Sequence, residues 1–194
     1  MLSILVSVVF FFAVKEENSK ILRTPDIAIH VEGESAFLTE KELLDRLKIR
    51  NLFRQQMAVG ELKIHTIERN IKVMPEVKKV EVYKHIGNKW EIQLELRKPI
   101  ARIFNQQGQS YYLDQDGFMM YRSALHTARV LVFSGAINDP YNPRLHCSFI
   151  NNGTLKSSQI IDQIYRISNY VCNDPLMHKL IGQIHIQKNG DFVL

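Results

Sequence analysis

Apolar and polar positions alternate most cleanly between residues 80 and 97. Val80 and Val82 alternate with Glu81 and Tyr83, Gly87-Asn88 supplies a turn, and Trp90, Ile92, Leu94 and Leu96 alternate with Glu91, Gln93, Glu95 and Arg97. A period of two held this long predicts a hairpin with one face in a core and the other in water. Upstream, Asp26-Ile-Ala-Ile-His-Val31 places Ile27, Ile29 and Val31 on one face of a shorter strand. Leu38-Thr39-Glu-Lys-Glu42-Leu43 reads as a helix start. Thr39 is the cap, Glu42 completes a capping box, Leu38 and Leu43 form a staple, and Leu43, Leu44 and Leu47 give the buried stripe. A second helix is predicted over residues 66–73, with Ile67 and Ile71 one turn apart and Pro75 as its stop. The order is β-α-α-β-β, which predicts a three-stranded sheet covered by two helices.

After Pro99 the pattern changes to short strands: Ile100-Ala-Arg-Ile-Phe104, Tyr111-Tyr-Leu113, Phe118-Met-Met120 and Val130-Leu-Val-Phe133. Gln107-Gly108 and Asp116-Gly117 are among the turns between them. Residues 138–143 read as a loop. A helix over residues 157–172 carries Ile160, Ile161, Ile164, Ile167 and Val171 on one stripe. Gln183 to Gln187 alternates, Asn189-Gly190 turns, and residues 191–194 begin a return strand. This half is expected to be a mostly antiparallel β domain with one helix. Because the return strand is only begun, a C-terminus beyond Leu194 is expected.

Residues 1–14 contain no charge, and Lys15, Glu16 and Glu17 end the run. Fourteen helical residues span roughly 21 Å, short of the ~30 Å hydrocarbon core. A signal peptide would open on Lys or Arg and close on small residues, neither of which is present. A core helix would need a polar face. The expectation is the distal part of a membrane anchor whose first residues precede Met1. Charge density divides the remainder: 17 basic and 14 acidic residues lie between Lys15 and Lys98, against 8 and 6 from Pro99 onwards. The expected organisation is therefore a partial transmembrane anchor at 1–14, a juxtamembrane linker at 15–25, one domain at 26–98 and a second at 99–194. The fold class is α+β.

Composition narrows function mainly by exclusion. With 45% apolar and 23% charged residues and a net charge of +5, the 194-residue chain is neither disordered nor a multi-pass membrane protein. Asp114-Gln-Asp116-Gly117 has the middle of a calcium loop, but Tyr112 and Ser123 stand where acidic ligands would be required, leaving a hairpin turn. His146-Cys147 are adjacent and would face opposite ways on a strand. The seven histidines show no paired ligand spacing, and Ser134-Gly135 and Gly108-Gln-Ser110 lack the flanks of a nucleophile elbow or phosphate loop. No catalytic, cofactor-binding or metal-ligating residue is assigned, and an enzyme is not expected. Lys78-Lys79 and Arg97-Lys98 alternate with Glu76, Glu81 and Glu95, which reads as a solvated sheet face rather than a nucleic-acid groove. Cys147 and Cys172 fit either two buried thiols or one bridge in an oxidising compartment.

Several runs carry a resemblance. Ile67-Glu-Arg-Asn-Ile71, then Met74-Pro75-Glu76-Val77-Lys-Lys-Val80-Glu-Val82, resembles the second helix and following strand of the POTRA domain of the FtsQ/DivIB family, in its Bacteroidetes-type form. Trp90 through Leu96, entering Arg97-Lys98-Pro99-Ile100-Ala101-Arg102-Ile103, is similar to that domain's last strand running into the family's β domain. Tyr112-Leu-Asp114-Gln-Asp116-Gly117 matches the next hairpin. The resemblance implies a single-pass inner-membrane protein with its bulk in the periplasm. Such a protein scaffolds the division machinery, binds the division proteins FtsB and FtsL, and takes no cofactor, nucleic acid or small-molecule substrate. The family's partner-binding edge would lie beyond Leu194, so no interface residue is carried over. The alternative is a POTRA-type chaperone or translocation accessory for outer-membrane proteins or secretion.

Overall fold

A computed structural model describes residues 2–32, 37–122, 127–142 and 160–194. The chain divides into two compact units: residues 1–30 with 38–96, and residues 31–37 with 97–194.

The first unit opens with α1 (Leu2–Ser19), followed by β1 (Asp26–His30), α2 (Glu40–Ile49), a single 3-10 turn (Val59–Glu61), α3 (Ile64–Lys72), β2 (Val77–Lys84) and β3 (Trp90–Leu96). The sheet order is β1-β3-β2, with β1 parallel and β2 antiparallel to β3. Thr39 caps α2, its Oγ1 accepting from the Glu42 amide at 3.2 Å. The expected reciprocal half of the capping box is not made, because the Glu42 carboxylate accepts from Arg46 at 2.6 Å. The same guanidinium also donates to Glu76, tying α2 to the approach of β2. Helix α2 ends in a Schellman motif: Asn51 takes a left-handed φ of 55°, its amide bonds Lys48 O, and the Leu52 amide bonds Leu47 O, both at 2.9 Å.

Leu38, Leu43, Leu47, Ile67 and Ile71 are all buried, as are Trp90, Ile92, Leu94 and Leu96 on the core face of β3. On β2 strict alternation fails, since Val77 and Val82 are both buried five residues apart. A bulge between Val77 and Lys79 absorbs the extra residue and returns the valines to the core side.

Among the described residues no helix is long and apolar enough to cross a membrane, so α1 gives the expected anchor no support as a membrane span. Lys15, Glu16 and Glu17 do not end α1 but continue it to Ser19, so charged residues share an 18-residue helix with the apolar run. The segment expected as a linker is helical to Ser19 and hydrogen-bonded afterwards: Val59 N donates to Lys20 O, Leu22 N to Met57 O, and Arg23 N to Asn88 O, at 2.8–2.9 Å.

The second unit holds β4 (Pro99–Phe104), β5 (Ser110–Asp114), β6 (Met119–Met120), β7 (Leu131–Gly135), α4 (Ile160–Asn173), α5 (Met177–Leu180), β8 (Gln183–Ile186) and β9 (Phe192–Val193). One six-stranded sheet results, in the order β6-β5-β4-β7-β8-β9. The expected mostly antiparallel sheet is in fact mixed, because β4–β7 and β7–β8 are parallel. For β7–β8 the physical reason is α4: a helix between two strands acts as a crossover and brings the second strand back parallel to the first. Ile161, Ile164 and Val171 of α4 join Ala101, Ile103, Phe133 and Ile184 in the core. The single-turn α5 was not expected, and residues 157–159 of the expected helix lie outside the described residues. Gly135, at φ +103°, lets β7 approach β8 so closely that a Cβ there would lie 2.2 Å from Ile186 O.

The buried face of β3 yields the first testable outcome. Leu94→Ala should destabilise the protein by about 2–5 kcal/mol through the cavity it leaves. Its neighbour Glu95→Ala, on the open face, should change stability by no more than about 0.5 kcal/mol. Denaturant unfolding of both variants measures the contrast, and equal effects would place the wrong face in the core.

Candidate functional site

A sheet offers a partner two kinds of surface, its open face and its unpaired edges. In the first unit the open face carries Ala28, His30, Gln93 and Glu95, bordered by Lys79 and Glu81. Lys78 pairs with Glu95 at 3.2 Å and Lys79 with Glu81 at 3.0 Å. Those charges are neutralised locally, as a solvated face requires.

The four edges differ. On β2 the outward amide of Val82 donates to the Glu68 carboxylate of α3 at 3.0 Å. The same strand carries the bulge and three lysines, all features that blunt an edge. On β6, Met119 and Met120 are buried, and Phe37 packs with Met120, Tyr112 and Ala128 in one cluster. Phe37 meets Tyr112 edge-to-face at 5.1 Å between ring centroids. Strand β1 pairs only with β3 among the described residues. Strand β9 pairs only with β8 among them, and it ends in apolar side chains that are not buried: Phe192 is half-buried, while Val193 and Leu194 are exposed. Among the described residues β1 and β9 are thus each paired on one side, and β9 adds exposed apolar side chains at Val193 and Leu194.

What aligns the second sheet is a buried ion pair at its start. Arg97 Nη1 donates to Asp114 Oδ2 at 2.8 Å, and the pair is 13% and 1% exposed. The Asp114 carboxylate also accepts from the Phe118 amide at 2.6 Å, and the guanidinium lies 4.0 Å over the Phe118 ring. Gly117, at φ +81°, closes the turn with its amide on Asp114 O at 3.0 Å. Arg97 had been expected on a solvated face, and the structure corrects this. A cation at the end of a strand looks like surface in sequence, but its acceptor lies seventeen residues away. The same bonds occupy Asp114, the residue with the look of a calcium ligand. Burial pushes the Asp114 carboxyl above the ordinary carboxylate range, and Arg97 and the Phe118 amide pull it back.

Ser134 Oγ lies 3.2 Å from His185 Nδ1, a cross-strand contact that the sequence did not suggest. No carboxylate is hydrogen-bonded to His185 among the described residues. A hydroxyl beside an imidazole without an orienting third group is not an activated nucleophile. Among the described residues no cluster of three His, Cys, Asp or Glu could hold a metal. Cys172 is a free thiol donating to Ile100 O at 3.5 Å, and burial raises its pKa. His146, Cys147 and Ser123 lie outside the described residues.

The fold defines a class: a protein with a three-stranded β-α-α-β-β module followed by a mixed-sheet domain. Residues 23–95 match the family described as POTRA-like domain, and residues 98–194, half of the chain, match that described as FtsQ/DivIB, C-terminal related. The chain belongs to the FtsQ/DivIB family, whose members are division-associated. No curated protein matches it.

The ion pair can be tested by breaking it. Arg97→Met should cost about 3–5 kcal/mol at neutral pH, because it strands a buried carboxylate. Asp114 with a folded pKa above its unfolded one holds its proton more tightly when folded. Its contribution therefore favours folding at low pH and is lost as pH rises through the folded value. Removing Arg97 widens that gap, so the variant should recover part of its loss between about pH 8 and about pH 5. Urea unfolding at both values reads the difference, and a loss independent of pH would clear Asp114 as its cause.

Proposed function

We propose that this chain is a non-enzymatic, membrane-attached scaffold of the bacterial division machinery that holds partner proteins by strand addition at β9. The observation that carries the reading is the match of residues 98–194 to the FtsQ/DivIB family, and β9, which pairs only with β8 among the described residues, is the strand the proposal assigns to the partner. Strand addition draws affinity from main-chain hydrogen bonds and specificity from alternate side chains; β9 offers its main chain, and Val193 and the following Leu194 offer exposed apolar side chains. The family resemblance nominates FtsB and FtsL as partners, the inner membrane as location and the periplasm as the site of the two units. Attachment rests on α1: Ile4, Leu5, Val6, Val9, Phe10, Phe11 and Phe12 are all about 60–70% exposed. A contiguous apolar surface with no polar side is stable in lipid and not in water.

A second reading rests on β1, which pairs only with β3 among the described residues. It makes the POTRA-like module a strand-accepting chaperone or translocation accessory for outer-membrane proteins.

The test is a titration of the full chain in lipid nanodiscs against the periplasmic part of FtsB. Val193→Lys puts a charge on the β9 edge and should weaken binding by at least about tenfold. Unchanged affinity would remove β9 as the docking edge. Binding of an unfolded outer-membrane polypeptide in place of FtsB would favour the second reading.

A further inference from the structure

The turn between β2 and β3 is tied to the end of α1 rather than free in solvent. The Gly87 amide donates to Glu17 Oε1 at 2.6 Å, Asn88 Nδ2 donates to Ile21 O at 2.9 Å, and Asn88 O accepts from Arg23 N at 2.9 Å. The Gly87 position has φ +89° and belongs to the tip itself. Beside it stands Ile86, 99% exposed. A lone exposed isoleucine is unremarkable on most surfaces; this one is fixed at the mouth of an exposed apolar helix.

The apolar run of α1 ends at Val14, and Glu17 follows three residues later, roughly 4.5 Å further along the helix axis. Ile86 adjoins the residue that Glu17 holds. The polar headgroup layer on one side of a bilayer is about 5–8 Å deep, so a helix submerged to Val14 brings the turn to that layer. Lys84 and Lys89 flank the tip and form no salt bridge among the described residues, though the Glu17 carboxyl is held below its ordinary range chiefly by Lys20, with a smaller pull from Lys84. An apolar tip flanked by two lysines outside any salt bridge suits an anionic lipid surface.

We propose that the β2–β3 turn is a second membrane contact, with Ile86 entering the headgroup–acyl boundary and Lys84 and Lys89 facing the phosphates of anionic phospholipid. The inference rests on the reading that α1 lies in the membrane. Its consequence is orientation: with α1 and the turn both at the bilayer, the first unit is held at a fixed angle to the surface instead of swinging on a tether.

The test uses the full chain with Cys147→Ser and Cys172→Ser, carrying an environment-sensitive fluorophore on Ile86→Cys or, as control, on Lys78→Cys. Lys78 is eight residues before Ile86, about 26 Å back along the strand direction. Proteins are mixed with vesicles of phosphatidylcholine and phosphatidylglycerol in equal parts and then floated. The expected result is co-flotation of both proteins. Emission at position 86 should rise at least about twofold and be quenched by a lipid-borne quencher, with no change at position 78. Co-flotation with position 86 as aqueous as position 78 overturns the turn contact and leaves α1 in the membrane. A shift at both positions overturns it as well, by laying the whole hairpin on lipid. Failure to float removes the α1 reading and this inference with it.

Discussion

The second sheet is organised around one buried charge pair, Arg97 with Asp114. Arg97 stands two residues before β4 and Asp114 ends β5, so the pair closes the first hairpin of the unit at its base. Strand β4 lies inside the sheet, with β5 on one side and β7 on the other, and every later strand takes its register from it. A buried pair of this kind adds little net stability compared with apolar packing, yet losing either partner is costly. Its contribution is therefore to specify one arrangement. The turn from Asp114 to Phe118 and the stacking of Arg97 on Phe118 follow from that choice.

Among the described residues each sheet has one edge covered by its own chain and one strand paired on a single side. Glu68 satisfies an outward amide of β2, and Phe37, Tyr112 and Met120 cover β6 with an aromatic and thioether cluster. Closing one edge and leaving the other directs an incoming strand to a single side. At the opposite end of the chain α1 is rigidly continued, because Glu17, Ile21 and Arg23 fasten its exit to the β2–β3 turn, and Gly60 allows Asn18 to approach within van der Waals contact. On the proposed scaffold reading the two features would supply a fixed foothold and an exposed strand.

Much of this was legible where side chains face one environment along a whole element. Trp90, Ile92, Leu94 and Leu96 announced β3, and the Ile161, Ile164 and Val171 stripe announced α4, because burial imposes a period that composition cannot hide. The bulge at Lys78 and Lys79 was not legible, since it breaks that period. Parallel pairing of β7 with β8 was not legible either, because the alternation of a strand does not record its neighbour's direction. Arg97 was misread because its acceptor is remote in sequence. The candidate site was the least legible part. An edge is open or closed according to what another segment covers, and neither Phe37 nor Glu68 carries a mark of that role. The hairpin Leu113-Asp114-x-x-Gly117 was the exception: its turn chemistry and its resemblance pointed to the same structure.

The account stands or falls on β9 as the surface that meets another division protein, and photo-crosslinking in dividing cells of the native host tests this most directly. A benzophenone side chain placed at position 193 of the full-length protein should give an adduct with a second division protein. The same group at Tyr83, on the closed edge of the first sheet, should give none. Adducts from position 83 with none from position 193 would contradict the account.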